Sequence, residues 1–123
     1  MPQLYGVTDT TPPALVMGLV QGAVLQKLCE CGEVQMCLRA LLKVCRVVRR
    51  LHACGITHGD IHAGNVMVDV SEEGEVEATL LDFGLAERYT DAAQQKVDVN
   101  MVVTSALHVI PERRELSDVR WNL

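Results

Sequence analysis

The sequence has no long apolar run and no basic N-terminal segment. Its longest apolar stretch extends from Ala14 to Val20, far short of the roughly 20 residues that cross a bilayer, so no transmembrane helix is expected. The first residues, MPQLYGVTD, also lack the apolar core of a secretory signal peptide. We therefore expect an intracellular, cytoplasmic protein that has no membrane partner.

Cysteine motifs and an excess of positive charge are lacking too. The five cysteines form no C-x-x-C pair, and their odd number argues against a fully paired disulfide framework, so buried thiols are expected. A net charge of −5 at pH 7 disfavours nonspecific binding of nucleic acid or anionic lipid. The one concentrated basic group, Arg46, Arg49 and Arg50, is interpreted as the solvated face of a helix. No nucleic-acid partner is therefore predicted.

The length and composition are those of one ordinary domain, at 123 residues with 49% hydrophobic and 22% charged. Apolar spacings of three and four residues indicate helices, and alternation indicates strands. Gly55 and Gly74 are placed to cap a helix and to form a hairpin turn, respectively. The predicted strands cover residues 4–8, 14–20, 66–70 and 76–80, and the predicted helices cover residues 23–31, 33–54 and 97–110.

Three oxygen-bearing side chains flank the predicted hairpin. Asp60 and Asn65 precede its first strand in the segment HGDIHAGN, and Asp82 follows its second strand. Because an antiparallel pair returns the chain to where it started, these side chains are expected to converge at one edge. Carboxylate and amide oxygens suit Mg²⁺ that is shared with phosphate. The carboxylate of Asp60 would then be free to accept a proton from an attacking hydroxyl.

The segments HGDIHAGN and LDFG resemble the catalytic loop and the metal-binding loop of the protein-kinase superfamily, H-R-D-x-x-x-x-N and D-F-G. The resemblance implies ATP and Mg²⁺ as cofactors and transfer of the γ-phosphoryl group to a hydroxyl. It implies that Asp60 is the catalytic base and that Asn65 and Asp82 hold Mg²⁺ against the bound nucleotide. It also places His58 and His62 among the catalytic residues.

The resemblance extends to both sides of these motifs. The segment LYGVTDTTPPALVMGLVQGAVL is similar to the strands and hinge that join the two kinase lobes. It implies that Met17 is the gatekeeper and that the backbone of Gly18 and Val20 faces the adenine. Downstream, KVDV resembles the start of the central helix whose carboxylate, here Asp98, holds the catalytic loop, and the alternative is that Asp98 is an ordinary acidic residue near a helix N-terminus. Phe83 is implied to pack so that it fixes the metal-binding carboxylate.

The fold implied by the resemblance is α+β: a mainly helical C-terminal lobe with a small β-hairpin, plus two strands and the hinge of the N-terminal lobe. Residues 1–22 would be the end of the N-terminal lobe and the hinge, and residues 23–123 a truncated C-terminal lobe. The resemblance covers nearly all of the chain but only about half of a kinase domain. No glycine-rich loop and no V-A-I-K lysine are found in the sequence.

Two residues of the catalytic loop depart from the common pattern. Gly59 replaces the Arg that pairs with an activation-loop phosphate in many regulated kinases, so that mode of switching is not expected. His62 makes the loop closer to the H-G-D-x-H-x-x-N pattern of aminoglycoside and choline kinases, and it either contacts a phosphate or fills the turn. The acceptor is expected to be a protein serine or threonine, with a small-molecule hydroxyl as the alternative.

A further alternative is a catalytically inactive pseudokinase fragment. The missing lysine, together with an apolar hinge that no lobe covers, motivates this alternative, since exposed apolar patches often mark interfaces. The leading hypothesis is an ATP phosphotransferase segment that is weakly active alone, with a protein substrate or a completing protein partner.

Overall fold

The computed structural model describes residues 2–88 and 91–109 as an α+β fold. Within these residues, none of the helices combines the length and the hydropathy that a bilayer crossing requires. The strands are β1 (Leu4–Val7), β2 (Leu15–Met17), β3 (Ala23–Val24), β4 (Ile56–Thr57), β5 (Val66–Val70), β6 (Val76–Leu80) and β7 (Glu87–Arg88), and the helices are α1 (Leu25–Glu30), α2 (Val34–Ala53) and α3 (Ala92–Val109).

The strands form small antiparallel sheets. β1 pairs with β2, and β4 pairs with β7. In the three-stranded sheet, β5 lies between β3 and β6, and its register with β6 places Val66 opposite Leu80 and Val70 opposite Val76. Three of these four side chains are buried, because alternate residues of a strand point to the same face. The predicted hairpin, with its turn at Gly74, is confirmed.

Helix α2 supplies the largest share of the core. Its apolar residues recur at three- and four-residue spacing, so one stripe packs on the hairpin while the opposite face carries arginines. Gly55 ends the helix as predicted, with its N–H donating to the carbonyl of His52 at 3.0 Å. The buried hydrophobic side chains are Leu25, Cys37, Ala40, Leu41, Val44, Val48, Ile61, Val66, Val68, Val76, Leu80, Val102 and Val109.

Some predicted boundaries differ from those of the structure. α3 begins at Ala92 rather than Val97, because the Asp91 side chain accepts a hydrogen bond from the Gln94 N–H at 3.0 Å and caps a first turn that has little apolar pattern. The predicted helix over residues 23–31 begins with the short strand β3. The pair β4 and β7 was not predicted, since two-residue strands show no periodicity. Residues 110–123 of the predicted C-terminal lobe lie outside the described residues.

The cysteines are free thiols, and most of them are not buried. The expectation of buried thiols is wrong for Cys31, Cys45 and Cys54, which are exposed. Cys37 is buried between α1 and α2, where the Sγ of Cys29 lies 3.5 Å from its own Sγ. Desolvation by burial is the largest of the effects that raise the pKa of Cys37 to about 12, so this thiol stays protonated at neutral pH.

Leu25 is expected to be essential to the core. Its side chain is fully buried where α1 meets the sheet, so Leu25→Ala should lower the free energy of unfolding by about 2–5 kcal/mol. Leu19→Ala, at a side chain that is 85% exposed, is the matched control and should change it by less than about 0.5 kcal/mol. Urea denaturation measures both values. Similar losses for the two variants would contradict this assignment of the core.

Candidate active site

A buried carboxylate from α3 holds the segment HGDIHAGN in place. The side chain of Asp98 is fully buried. Its Oδ2 accepts hydrogen bonds from the backbone N–H of His58 and from Nε2 of His52, both at 2.9 Å, and its Oδ1 accepts one from the backbone N–H of Gly59 at 2.9 Å. These three donors compensate the carboxylate for its loss of water. The predicted role of Asp98 in holding this loop is confirmed by these contacts.

The imidazole of His58 joins this loop to the segment LDFG. Its Nε2–H donates to the carbonyl of Leu81 at 2.9 Å, and its Nδ1 accepts from the backbone N–H of Asp60 at 3.1 Å. The ring meets Phe83 edge to face, with the ring centroids 4.7 Å apart. His58 is completely buried and both ring nitrogens are engaged, so its contribution is to position the two loops.

Asn65 fixes the carboxylate of Asp60. Its amide nitrogen donates to the backbone carbonyl of Asp60 at 2.9 Å and to Oδ2 of Asp60 at 3.0 Å. Both amide hydrogens point to the same residue, which leaves the Asn65 Oδ1 as an acceptor for another group. The Asp60 side chain is 35% exposed, so its carboxylate remains accessible from solvent. The two predicted residues are therefore in direct contact.

His62 fills the turn that follows Asp60. Its Nδ1 accepts a hydrogen bond from the N–H of Gly64 at 3.0 Å, at the start of the 3₁₀ turn Ala63–Asn65. Its Nε2 then carries the hydrogen of the neutral ring and lies 3.6 Å from Oδ1 of Asp60. The turn contact is one of the two alternatives predicted for His62, and contact with a phosphate stays a prediction.

Asp82 lies directly across the hairpin from Asn65. The N–H of Leu81 donates to the carbonyl of Asn65 at 2.7 Å, which places Asp82 one residue beyond this bond. Asp82 has a φ of +53° and its Oδ1 accepts from the N–H of Gly84 at 3.0 Å, so a tight turn presents an exposed carboxylate. The hairpin thus brings Asp60, Asn65 and Asp82 to one edge, as expected from the sequence.

The donor set at this edge suits a hard cation. The amide oxygen of Asn65 and the carboxylate of Asp82 are oxygen ligands, the type that Mg²⁺ takes when it also binds phosphate. Within residues 2–88 and 91–109, no three His, Cys, Asp or Glu side chains are grouped so that they could hold a metal on their own. The residues present therefore fit an ion that would share its coordination with a phosphate ligand and water.

The predicted hinge follows β2 as an exposed segment. Met17 is 48% exposed, and Val20 is half-buried. The N–H of Gly18 donates to the carbonyl of Gln3 at 2.7 Å, which extends the pairing of the first two strands. The Gly18 N–H is therefore engaged by the neighbouring strand, whereas the Gly18 carbonyl is available to a ligand. The expectation that the backbone of Gly18 and Val20 faces the adenine stays a prediction.

Gly59 is required by the packing of the two loops. Its φ is +85°, and a Cβ added here would lie 2.8 Å from the carbonyl oxygen of Leu85, which follows the segment LDFG. Any other residue at this position would be destabilised by both the left-handed backbone and this contact. Sequence reasoning did not find the contact of Leu85 with Gly59 or that of His52 with Asp98. Neither Leu85 nor His52 belongs to a motif or to an apolar period that distinguishes it.

A cavity of about 720 Å³ opens beside the catalytic loop. The loop contributes His62 and Gly64 to its wall, α3 contributes polar side chains such as Asn100 and Thr104, and α1 contributes Gln26. Cavities of several hundred cubic ångströms are typical of small-molecule sites. This cavity could not be predicted from the sequence, because its walls come from segments far apart in the chain.

The fold and site together define the class of protein. The site combines three features of a protein-kinase-like domain. Asp98 is buried and holds an H-G-D loop, a hairpin follows this loop, and the D-F-G turn after the hairpin packs on His58. Residues 22–122 match the family model described as "Lipopolysaccharide kinase (Kdo/WaaP) family". The chain belongs to this family of kinase-like ATP phosphotransferases.

Individual proteins resemble the chain over most of its length. It is 33% identical over 125 residues to the KEOPS complex subunit Bud32 of Pyrococcus abyssi, a match covering 98% of this chain and 49% of that protein. It is 30% identical over 95 residues to a probable bifunctional tRNA threonylcarbamoyladenosine biosynthesis protein of Methanoculleus marisnigri, covering 77% of this chain and 16% of that protein. The chain thus spans half or less of the curated relatives it matches.

Among solved structures, the chain superposes on that of the Rad53 kinase domain and SCD2 in complex with AMPPNP. The TM-score is 0.62 at 17% identity, with 89% of this chain and 47% of that chain covered. At this identity the likeness shows the fold alone. The expected fold class, a kinase-like α+β domain, is confirmed.

Removing the charge of Asp98 should loosen the catalytic loop. Asp98→Asn leaves one acceptor oxygen in place of two, so at least one of its three donors loses its partner, at a cost of about 1–3 kcal/mol. Asp91→Asn, at the exposed cap of α3, is the matched control, since Asn caps a helix about as well as Asp. Urea denaturation compares the two variants. An equal free energy of unfolding for both would show that the buried carboxylate is dispensable.

Substitution of Gly59 should disturb the site more than substitution of another left-handed glycine. Gly55 has a φ of +75° and nothing within 4 Å of an added Cβ, so Gly55→Ala should lower the free energy of unfolding by about 1 kcal/mol. Gly59→Ala adds the collision with Leu85, so its loss should be about twice as large or more. Thermal denaturation provides the comparison. The contact with Leu85 would be unimportant if both variants melted at the same temperature.

Proposed function

We propose that this chain is the catalytic part of an ATP phosphotransferase that uses Mg²⁺ to transfer the γ-phosphoryl group to a hydroxyl. The observation that carries the proposal is the contact between Asn65 and Asp60. The amide fixes the carboxylate by two hydrogen bonds, while Oδ1 of Asp60 and Oδ1 of Asn65 remain for an acceptor and a cation. A general base needs such a fixed position as well as access to the proton it takes.

In the proposed reaction, Asp60 accepts the proton of the acceptor hydroxyl. The acceptor oxygen forms a bond to the γ-phosphorus as the bond from that phosphorus to the leaving ADP oxygen breaks. Asn65 and Asp82 would hold Mg²⁺. When bound, this ion would neutralise the charge on the phosphate oxygens. His58 would position both loops. Nε2 of His62, 3.6 Å from Oδ1 of Asp60, would orient the Asp60 carboxylate or contact a phosphate.

The nucleotide is proposed to bind against the hinge. The Gly18 carbonyl and the backbone of Val20 would contact the adenine, and the side chain of Met17 would lie beside it. A solved structure of the same fold is named as a complex with AMPPNP, which supports nucleotide binding by this fold. The exposure of the hinge leaves room for such a ligand.

Two acceptor classes are supported by different observations. A protein serine or threonine is favoured by the L-D-F-G sequence and by a relative that is named as a subunit of a complex. A small-molecule hydroxyl is favoured by the cavity of about 720 Å³ next to the catalytic loop, by the histidine of the H-G-D-x-H pattern and by the lipopolysaccharide in the name of the family. We propose the protein acceptor first and the small molecule second.

A completing protein segment or partner is proposed to pack on β1 and β2. The apolar side chains of this hairpin are exposed: Leu4 by 59%, Tyr5 by 65% and Leu15 by 61%. Exposed large apolar side chains on so short a pair of strands often mark an interface. The proposal follows the expectation that the chain is weakly active alone.

The catalytic assignment is tested by ATP turnover of the purified chain with and without Mg²⁺. Asp60→Asn and Asp82→Ala should each lower the rate by at least about 100-fold, because one removes the base and the other a metal ligand. Asp69→Asn is the matched control, since Asp69 is exposed on the hairpin and its carboxylate accepts a hydrogen bond from the neighbouring Val70 N–H. Equal rates in all four proteins would leave a pseudokinase as the correct reading.

The acceptor class is decided in the same assay. Phosphoryl transfer to a protein substrate such as casein would be compared with transfer to a panel of aminoalcohols and sugars. Label that appears mainly on the small molecules would reverse the order of the two proposed acceptors.

A further inference from the structure

A second cavity lies between α2 and α3, away from the catalytic loop. It has a volume of about 380 Å³. Val48 and Val102 form its floor and are almost fully buried, whereas Val99 and Val103 are about half exposed on its rim. Its remaining lining residues are Cys45, Arg49 and His52. We call this cavity the α2–α3 groove.

The apolar surface continues beyond the groove along both helices. Leu42 of α2 is 54% exposed, and Leu107 of α3 is 62% exposed. Apolar side chains therefore follow the two helices for several turns, and neither helix covers them. A trough of this shape matches the mode in which an amphipathic helix lays its apolar face between two others.

Helix α2 is strongly basic, although the chain is acidic as a whole, whereas α3 contributes one lysine. In α2 there is no Asp or Glu, and the one carboxylate of α3, Asp98, is buried and occupied by the catalytic loop. Within the described part of the chain, the ion pairs found both join a His to an Asp, one of them His52 of α2 to Asp98, so the Lys and Arg side chains of α2 have no carboxylate partner there. The basic residues of the two helices are Arg39, Lys43, Arg46, Arg49, Arg50 and Lys96.

We infer that the α2–α3 groove binds an acidic amphipathic helix of a partner protein. The apolar seam of that helix would fill the trough over Val48 and Val102, and its Glu or Asp residues would face Arg49 and the basic row of α2. Charge complementarity of this kind selects a partner and speeds its association. The inference does not rest on the proposed function, because none of the groove residues belongs to the metal or base site.

Other occupants fit less well. A second copy of the chain would bring two basic α2 helices together, which like-charge repulsion opposes. A nucleic-acid backbone would satisfy the arginines, but among the described residues no Phe, Tyr or Trp lines the groove for base stacking, and the apolar floor gives phosphate no partner. The combination of an apolar floor and a basic rim therefore favours a protein helix.

The test uses the whole chain and a fluorescein-labelled helical peptide of about 18 residues, or ~27 Å. The peptide has a leucine seam at three- and four-residue spacing and glutamates beside it, and a second peptide carries lysines in their place. Fluorescence anisotropy should show that the acidic peptide binds at least about tenfold more tightly than the basic one and weakens as salt is raised. Equal affinity for the two peptides, or no binding of either, would overturn the inference.

Three variants locate the binding surface. Val103→Glu places a carboxylate on the rim, and Arg49→Glu reverses a charge, so each should weaken the acidic peptide by about tenfold or more. Lys27→Glu makes the same reversal on exposed α1, outside the groove, and should leave the affinity unchanged. Circular dichroism of each variant checks that the fold is kept.

Titrations with an RNA duplex and with vesicles of phosphatidylcholine and phosphatidylglycerol complete the experiment. Binding of either that is lost in Arg49→Glu but kept in Val103→Glu would make the basic row a polyanion surface and would overturn the inference of a docked helix. Loss of peptide binding in both groove variants, with RNA and vesicles inactive, would support it.

Discussion

The structure of the site depends on one buried carboxylate. Asp98 comes from α3, yet its two oxygens receive the backbone N–H groups of His58 and Gly59 and the ring of His52 from the end of α2. His58 in turn holds Leu81 and Phe83, which set the turn at Asp82. A charge that folding has removed from water therefore anchors both loops, and the two long helices are fixed to the site by the same bonds.

How far the sequence predicts this architecture depends on how many residues each element has and on how far apart in the sequence the contacting residues lie. The helix α2 and the β5–β6 hairpin were predicted because each carries several repeats of one period. The pair β4 and β7 escaped because two residues carry no period, and α3 was predicted to start late because a side-chain cap, not apolar residues, begins it. The sequence predicts the proximity of Asp60, Asn65 and Asp82, since the hairpin turn brings the two ends of the strand pair together. The contact of His52 with Asp98 joins residues far apart in sequence, so only the tertiary structure shows it.

The distribution of charge shows the limit of composition as a guide. A net charge of −5 describes the chain as a whole, but α2 carries five Lys and Arg residues and no Asp or Glu. Interpreting Arg46, Arg49 and Arg50 as a solvated face was reasonable for an isolated helix. Packing α3 beside α2 adds an apolar trough to that face, and the surface becomes chemically distinctive only through the pair.

The close approach of Leu85 to Gly59 limits how the protein could change over evolutionary time. In many regulated kinases an arginine at this position reads a phosphate on the activation loop. Here an arginine would be strained, because its Cβ would lie 2.8 Å from the Leu85 carbonyl oxygen and the backbone is left-handed. The segment after Asp82 would have to be rebuilt at the same time. A phosphate switch of that kind would therefore require coupled changes in both loops.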